Sequence, residues 1–208
     1  MATLILLRHG QSTWNLENRF TGSEDVDLSP LGIDEARKSG YLLKKHKIDF
    51  AFTSVLKRSV HTLDIILDFI GNNIPIIKSS ALNERSYGDL QGLNKTETEK
   101  KFGELQVLIW RRSYKIAPPN GESLKNTYDR VIPFYQSDIV PKLINNKNVL
   151  VVAHGNSLRA LIMYLENISE TAISDFEIET GVLRVYQFND TFEITSINQT
   201  LEGKKNGT

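Results

Sequence analysis

Cysteine is absent from the 208 residues. Its absence excludes disulfides, thiolate nucleophiles and Cys-ligated metal. Net charge is absent too, since 25 Lys and Arg balance 25 Asp and Glu. No general basic field is therefore offered to a nucleic acid, and an anion site must be a local gathering of cations. No stretch approaches about 18 consecutive apolar residues, so no membrane span is expected. The beginning of the chain lacks a charged n-region and a long apolar h-region. No signal peptide is expected, and the cytoplasm is the expected location. The glycine-rich loops of Walker type and of GxGxxG type do not occur, and neither do HxH, HxxxH or HExxH. The familiar mononucleotide, dinucleotide and zinc-hydrolase patterns are thereby set aside. Repeats, long linkers and low-complexity segments are also missing. Residues 1–208 are read as a single domain, and 40% hydrophobic content is ample for its core.

What is present centres on Leu4 to Asn15, LILLRHGQSTWN. Four apolar residues in an unbroken run suit a strand buried on both faces of a parallel sheet. Arg8, His9 and Gly10 follow at once, at the carboxyl end where open α/β sheets bind ligands. Asn148 to Ser157, NVLVVAHGNS, repeats the pattern and ends in His154 and Gly155. Two strand-ending His-Gly steps are expected to bring two imidazoles to one sheet edge. Arg8, Arg58, Lys95, Arg111 and Arg112 form a candidate anion cage. Glu84 is the acid nearest these residues, suited to moving a proton on a hydroxyl. His46 and His61 read as structural or solvated.

In chain order, Ser29-Pro30 starts a helix that runs to about Lys45. A strand over 49–53 precedes a helix from Ser54 to Phe69, with Leu56, Val60, Leu63, Ile66 and Leu67 on one face. Ile74 to Ile77 is a further strand. The alternation argues for a three-layer α/β fold: a mostly parallel sheet with helices on both faces. Asn83 to Trp110 is polar and glycine-punctuated, then helical through Phe102, Leu105 and Leu108. It reads as a helical lid inserted over the strand carboxyl ends. Pro133 and Pro141 break the helical stretch from Glu122 to Ile144 into a kink or two helices. Helices through Leu158 to Leu165 and over Ser169 to Phe176 follow. Val182 to Phe188 and Phe192 to Ile197 form a hairpin. The polar tail from Glu202 to Thr208 is expected to be disordered.

The stretches RHGQSTWNLENRFTG, DLSPLG, TSVLKRSVHTL, LNERSYGDLQGLNK, WRRSY, ESLKNT and AHGNSLRAL occur in that order. In them the chain resembles the cofactor-dependent phosphoglycerate mutases of the histidine phosphatase superfamily. The resemblance implies that His9 carries a phosphoryl group, His154 stabilises it in transfer, and Glu84 exchanges a proton with the substrate hydroxyl. It implies that Arg8, Asn15, Arg58, Arg111, Arg112, Gly155 and Asn156 hold phosphates, and that Thr21, Gly22, Tyr87 and Lys95 hold the rest of the substrate. It further implies small phosphorylated three-carbon acids as substrates, 2,3-bisphosphoglycerate as primer, no metal and a homodimer. A phosphatase or a bisphosphoglycerate mutase of the same superfamily is the nearest competing expectation. Ser23 stands where that family usually carries Trp, and the segment between Pro119 and Glu122 is short for it.

Overall fold

The computed structural model of the chain describes residues 1–200. The tail from Glu202 to Thr208 lies outside the described residues. Strand β1 (Ala2–Arg8) leads to a helical turn, α1 (Thr13–Leu16), and to α2 (Pro30–Leu43). Next come β2 (Phe50–Thr53), α3 (Lys57–Ile70) and β3 (Ile76–Lys78). The inserted segment carries α4 (Lys95–Phe102) and α5 (Glu104–Arg112). Helix α6 (Leu124–Phe134) passes through a π-helical stretch, Tyr135–Ile139, into α7 (Val140–Ile144). Strand β4 (Val149–Ala153), helix α8 (Gly155–Leu165) and the hairpin β5 (Leu183–Phe188) and β6 (Ile194–Thr200) complete the fold.

The six strands form one sheet in the order β3-β2-β4-β1-β5-β6. The first four are mutually parallel, and the hairpin adds two antiparallel strands beside β1. Alternate residues of β1 and β4 feed two cores. Leu4, Leu6, Val149 and Val151 pack towards α6 and α8. Ile5, Leu7, Leu150 and Val152 pack towards α2 and α3. Both faces being dry, the strands read as unbroken apolar runs. Each such side chain contributes about 1.5–3 kcal/mol by leaving water. Among the described residues, no helix is long and apolar enough to cross a membrane.

The register decides where the chemistry falls. Arg8 pairs with Ala153 across β1 and β4. His9 and His154, the next residue of each strand, therefore leave the sheet side by side. Gly10 lets the chain turn against α2. A Cβ there would lie 2.2 Å from the Gly32 carbonyl oxygen, and a Cβ on Gly32 would lie 2.0 Å from that of Gln11. Ser29 Oγ accepts the Gly32 amide at 3.1 Å and fixes the start of α2.

Several elements differ from the sequence expectation. Helix α3 begins at Lys57, three residues after Ser54. The Ser54–Leu56 stretch stays extended because Ser54 Oγ is bonded to His154 and to the Leu56 amide, while the Val55 amide donates to Asn83. Strand β3 starts at Ile76 because Pro75 has no N–H for a ladder. The lid helix divides at Gly103, whose φ is 85°. Phe102, Leu105 and Leu108 face outward, 40%, 70% and 51% exposed. Val107 is buried against Phe20 and Leu90, with Trp110 packed beside it. Ser169 to Phe176 holds only a 3-10 turn, Ala172–Ser174, since the Arg159 guanidinium takes the Ile173 carbonyl.

Candidate active site

A cavity of about 200 Å³ opens at the carboxyl end of β1, roofed by the residues from Tyr87 to Arg112. Its floor is His9, only 2% exposed. The ring's Nδ1–H donates to the Gly10 carbonyl at 2.6 Å, and its Nε2 accepts from Arg58 Nε at 3.3 Å. These two bonds define one tautomer, with the lone pair on Nε2. Burial, then the charges of Arg58 and Arg8, hold the His9 pKa well below 6.5, against the opposing Gly10 bond. Cations contribute, as the sequence suggested, but desolvation is the larger cause.

His154 stands behind His9, with ring centroids 4.8 Å apart and planes at 63°. It does not itself line the cavity. Its Nε2 is bonded to Ser54 Oγ at 2.7 Å. Among the described residues its Nδ1 is buried without a hydrogen-bond partner. Burial, followed by Arg58, His9 and Arg8, pushes its pKa well below 6.5. Both imidazoles are therefore neutral at pH 7.

Arg58 is fully buried at the first turn of α3. A cation at a helix start is disfavoured by the dipole. Two carbonyls offset this: Nη1 donates to Glu24 and Nη2 to Gly22, each at 2.7 Å. Burial lowers its pKa to about 10, with Glu84 and Asp25 opposing, so it remains charged. Arg8 donates from Nη1 to the Ile178 carbonyl at 2.8 Å, while its Nε is buried with no partner among the described residues.

Glu84 is held by backbone amides. Its Oε1 accepts from Arg85 N at 2.8 Å and from Asn156 N, in the first turn of α8, at 3.0 Å. A helix start favours an anion there. Gly155 lies against both groups: a Cβ on it would make ordinary contacts, 3.6 Å from Glu84 Oε2 and 3.7 Å from Arg8 Nε. The loop bearing Glu84 is clamped from below. Arg130 donates to the Ala81 carbonyl at 2.8 Å and to the Glu84 carbonyl at 3.2 Å. Glu122 grips Arg130 through both oxygens at 3.0 Å and accepts the Ser86 amide at 2.9 Å.

The remaining predicted ligands converge on the same cavity. Asn15, Thr21, Gly22, Tyr87, Lys95, Arg111, Arg112, Gly155 and Asn156 all line it. Thr21 Oγ1 is buried with no partner among the described residues. Gly22 has φ of 56°, and a Cβ there would lie 2.2 Å from Gln91 Oε1. That Gln91 oxygen also accepts from the amide and hydroxyl of Ser23, so the Ser23 departure is absorbed in a local hydrogen-bond hub. Burial, then the Arg111 charge, lowers the Lys95 pKa. His61 pairs with Asp27 at 2.7 Å, half exposed and away from the cavity; His46 also lies outside it.

Sequence reasoning missed Arg19, Phe20, Arg159 and the Phe176–Ile178 stretch, all of which line the cavity. Arg159 was legible: it stands three residues after Asn156 on α8 and donates to its Oδ1 at 3.0 Å. The loop before β5 carries no comparable periodic signal. Seven Arg and Lys side chains thus surround two acids, Glu84 and Glu177. Such a chamber suits a polyanion presented to a neutral imidazole nucleophile.

Comparison with known proteins agrees. The model of the histidine phosphatase superfamily (branch 1) matches residues 4–200. The chain is 54% identical to the 2,3-bisphosphoglycerate-dependent phosphoglycerate mutase of Cytophaga hutchinsonii, over 95% of this chain and 93% of that one. It is 54% identical to the protein of the same name from Bradyrhizobium diazoefficiens, over 93% and 95% of the two chains. Among solved structures, Bacillus stearothermophilus YhfR superposes with a TM-score of 0.83 at 25% identity, covering 93% and 94% of the chains. A putative alpha-ribazole-5'-P phosphatase from Escherichia coli superposes at 0.80 with 26% identity, covering 95% and 96%. Paired strand-end histidines, a shared sheet and half the residues in common over nearly the whole length lead to one assignment: the chain belongs to the histidine phosphatase superfamily and, within it, to the 2,3-bisphosphoglycerate-dependent phosphoglycerate mutases.

Proposed function

We propose that the protein interconverts 3-phosphoglycerate and 2-phosphoglycerate through a phosphohistidine at His9, primed by 2,3-bisphosphoglycerate. The observation that carries this reading is the His9 tautomer: a neutral ring with its lone pair on Nε2, beside Arg58 and His154. His9 Nε2 attacks phosphorus and forms the N–P bond. The ester P–O bond breaks, and its oxygen takes a proton from Glu84. In the reverse sense Glu84 removes the proton from the accepting hydroxyl as His9 gives up the phosphoryl group. Two transfers, to one carbon and from its neighbour, complete the isomerisation without net consumption of phosphate.

Arg8, Arg58 and Asn156 surround the group in flight, with His154 packed behind His9, where catalysis is mainly positioning and charge stabilisation. The Nε of Arg8, buried without a partner among the described residues, is a donor suited to a phosphoryl oxygen. Lys95, Arg111, Arg112, Thr21, Gly22, Tyr87 and Asn15 hold the carboxylate and the second phosphate. This roof supplies more cations than hydrolysis alone needs, which favours the mutase over a phosphatase. The protein acts as one cytoplasmic domain without a metal, and pairs as a homodimer.

The test is an isomerisation assay with and without 2,3-bisphosphoglycerate, and after chelation, alongside detection of phosphohistidine. Priming by the bisphosphate, indifference to chelator and label lost in His9→Ala are expected. Full unprimed activity that depends on manganese overturns the reading, as does phosphate release outpacing isomerisation.

A further inference from the structure

Of the two carboxylates that line the cavity among the described residues, the chemistry above uses only Glu84. Glu177 is left without a task, although it stands in the loop between α8 and β5 at the rim of the cavity. Its carboxylate is paired with Arg112, at the last turn of α5. The neighbouring Arg111 is paired with Glu99 at 3.5 Å. Both roof arginines thus already hold carboxylates of the chain itself. Arg112, Arg111 and Arg8 all lower the Glu177 pKa, the Arg112 bond most, so it is ionised at neutral pH.

We propose that Glu177 is a built-in counter-ion for Arg112 that gives way to an anionic group of the ligand, and so sets the affinity of the roof subsite. The flanking backbone supports a side-chain exchange rather than loop opening. On one side, Phe176 lies under the Arg184 guanidinium at 5.3 Å, and Arg184 is locked to Glu166 by two bonds of 2.6 Å. On the other side, the Ile178 carbonyl accepts from Arg8 at 2.8 Å. Glu177 alone projects between these anchors, its side chain 66% exposed. Rotation of an exposed side chain is fast and needs no rearrangement of the fold. The pair is also weak enough to exchange, since ion pairs this exposed contribute at most about 1 kcal/mol, or about fivefold in a binding constant. A ligand phosphate carrying two charges gains more from Arg112 than the single carboxylate it displaces. The inference rests on the anion-binding reading of the cavity, but not on which reaction follows.

Inorganic phosphate is the probe, titrated calorimetrically at fixed ionic strength into the full chain, Glu177→Gln, Arg112→Met and the double variant. Glu177→Gln is expected to bind phosphate about two- to fivefold more tightly than the native chain. In the Arg112→Met background the same change is expected to have no effect, because the partner is gone. With 3-phosphoglycerate the gain is expected in KM rather than in kcat, which a loosened structure would not produce. Unchanged or weaker phosphate binding by Glu177→Gln overturns the proposal. So does an equal gain in both backgrounds, which would make Glu177 merely part of the general field. If phosphohistidine never forms yet the cycle holds, the counter-ion stands and the mutase reading falls.

Discussion

Two fully buried neutral imidazoles make the fold sensitive to mild acid. In the unfolded chain His9 and His154 titrate near 6.5; in the fold both pKa values are pushed well below that by burial and by Arg58. Below about pH 6.5 the unfolded state binds protons that the folded state refuses, so stability is fully present above that pH and falls as pH falls. The unfolded pKa sets the ceiling: each ring costs at most about 2 kcal/mol between pH 7 and pH 5, and the pair at most about 4 kcal/mol. That is a large share of a typical 5–15 kcal/mol. The carboxylates with lowered values, Asp49, Glu122 and Glu177, act in the same direction but only nearer the carboxylate range. Urea unfolding at pH 7, 6 and 5, in buffers free of phosphate, measures the slope. His9→Gln and His154→Gln are each expected to remove about half of it, and the double variant nearly all. A native chain equally stable at pH 7 and pH 5, or a double variant with the native slope, refutes the reasoning.

Glu84→Gln keeps the hydrogen bond to the Asn156 amide but cannot cycle a proton; kcat is expected to drop by about 10²–10⁴ with little change in melting temperature. Undiminished isomerisation would remove Glu84 from the mechanism. Gly32→Ala drives a Cβ to within 2.0 Å of the Gln11 carbonyl. Urea titration is expected to show a loss of at least about 1–3 kcal/mol, because the clash is with backbone rather than a flexible side chain. Ser54→Ala strips the bond from buried His154 Nε2. It is expected to cost about 1–3 kcal/mol and to slow phosphorylation of His9, followed by quench-flow; a variant as stable and as fast as the native chain would separate Ser54 from His154.

The sequence by itself determined the frame of the site. Unbroken apolar runs ending in His9 and His154 point to strands buried on both faces with their histidines at one sheet edge; that the two strands are neighbours, in the register that sets the rings side by side, was decided by the sheet. Ser29-Pro30 was legible as a helix start because a cap is a local hydrogen bond between residues three apart. The lid was legible as an insertion, but its facing was not. Its helical pattern ran through Phe102, Leu105 and Leu108, yet these face solvent while Val107 is buried, since the lid packs on a small apolar cluster with Phe20 and Leu90 and presents its charges to the chamber. Only the tertiary structure decided the protonation and pairing that make the site work. The His9 tautomer depends on Arg58, 49 residues away, and the His154 ring is held by Ser54, 100 residues away. The Glu177 pairing with Arg112 spans 65 residues. Such pairings follow from how distant elements pack, because the field at a buried ring is set by whatever charge lies within a few ångströms of it, irrespective of order along the chain.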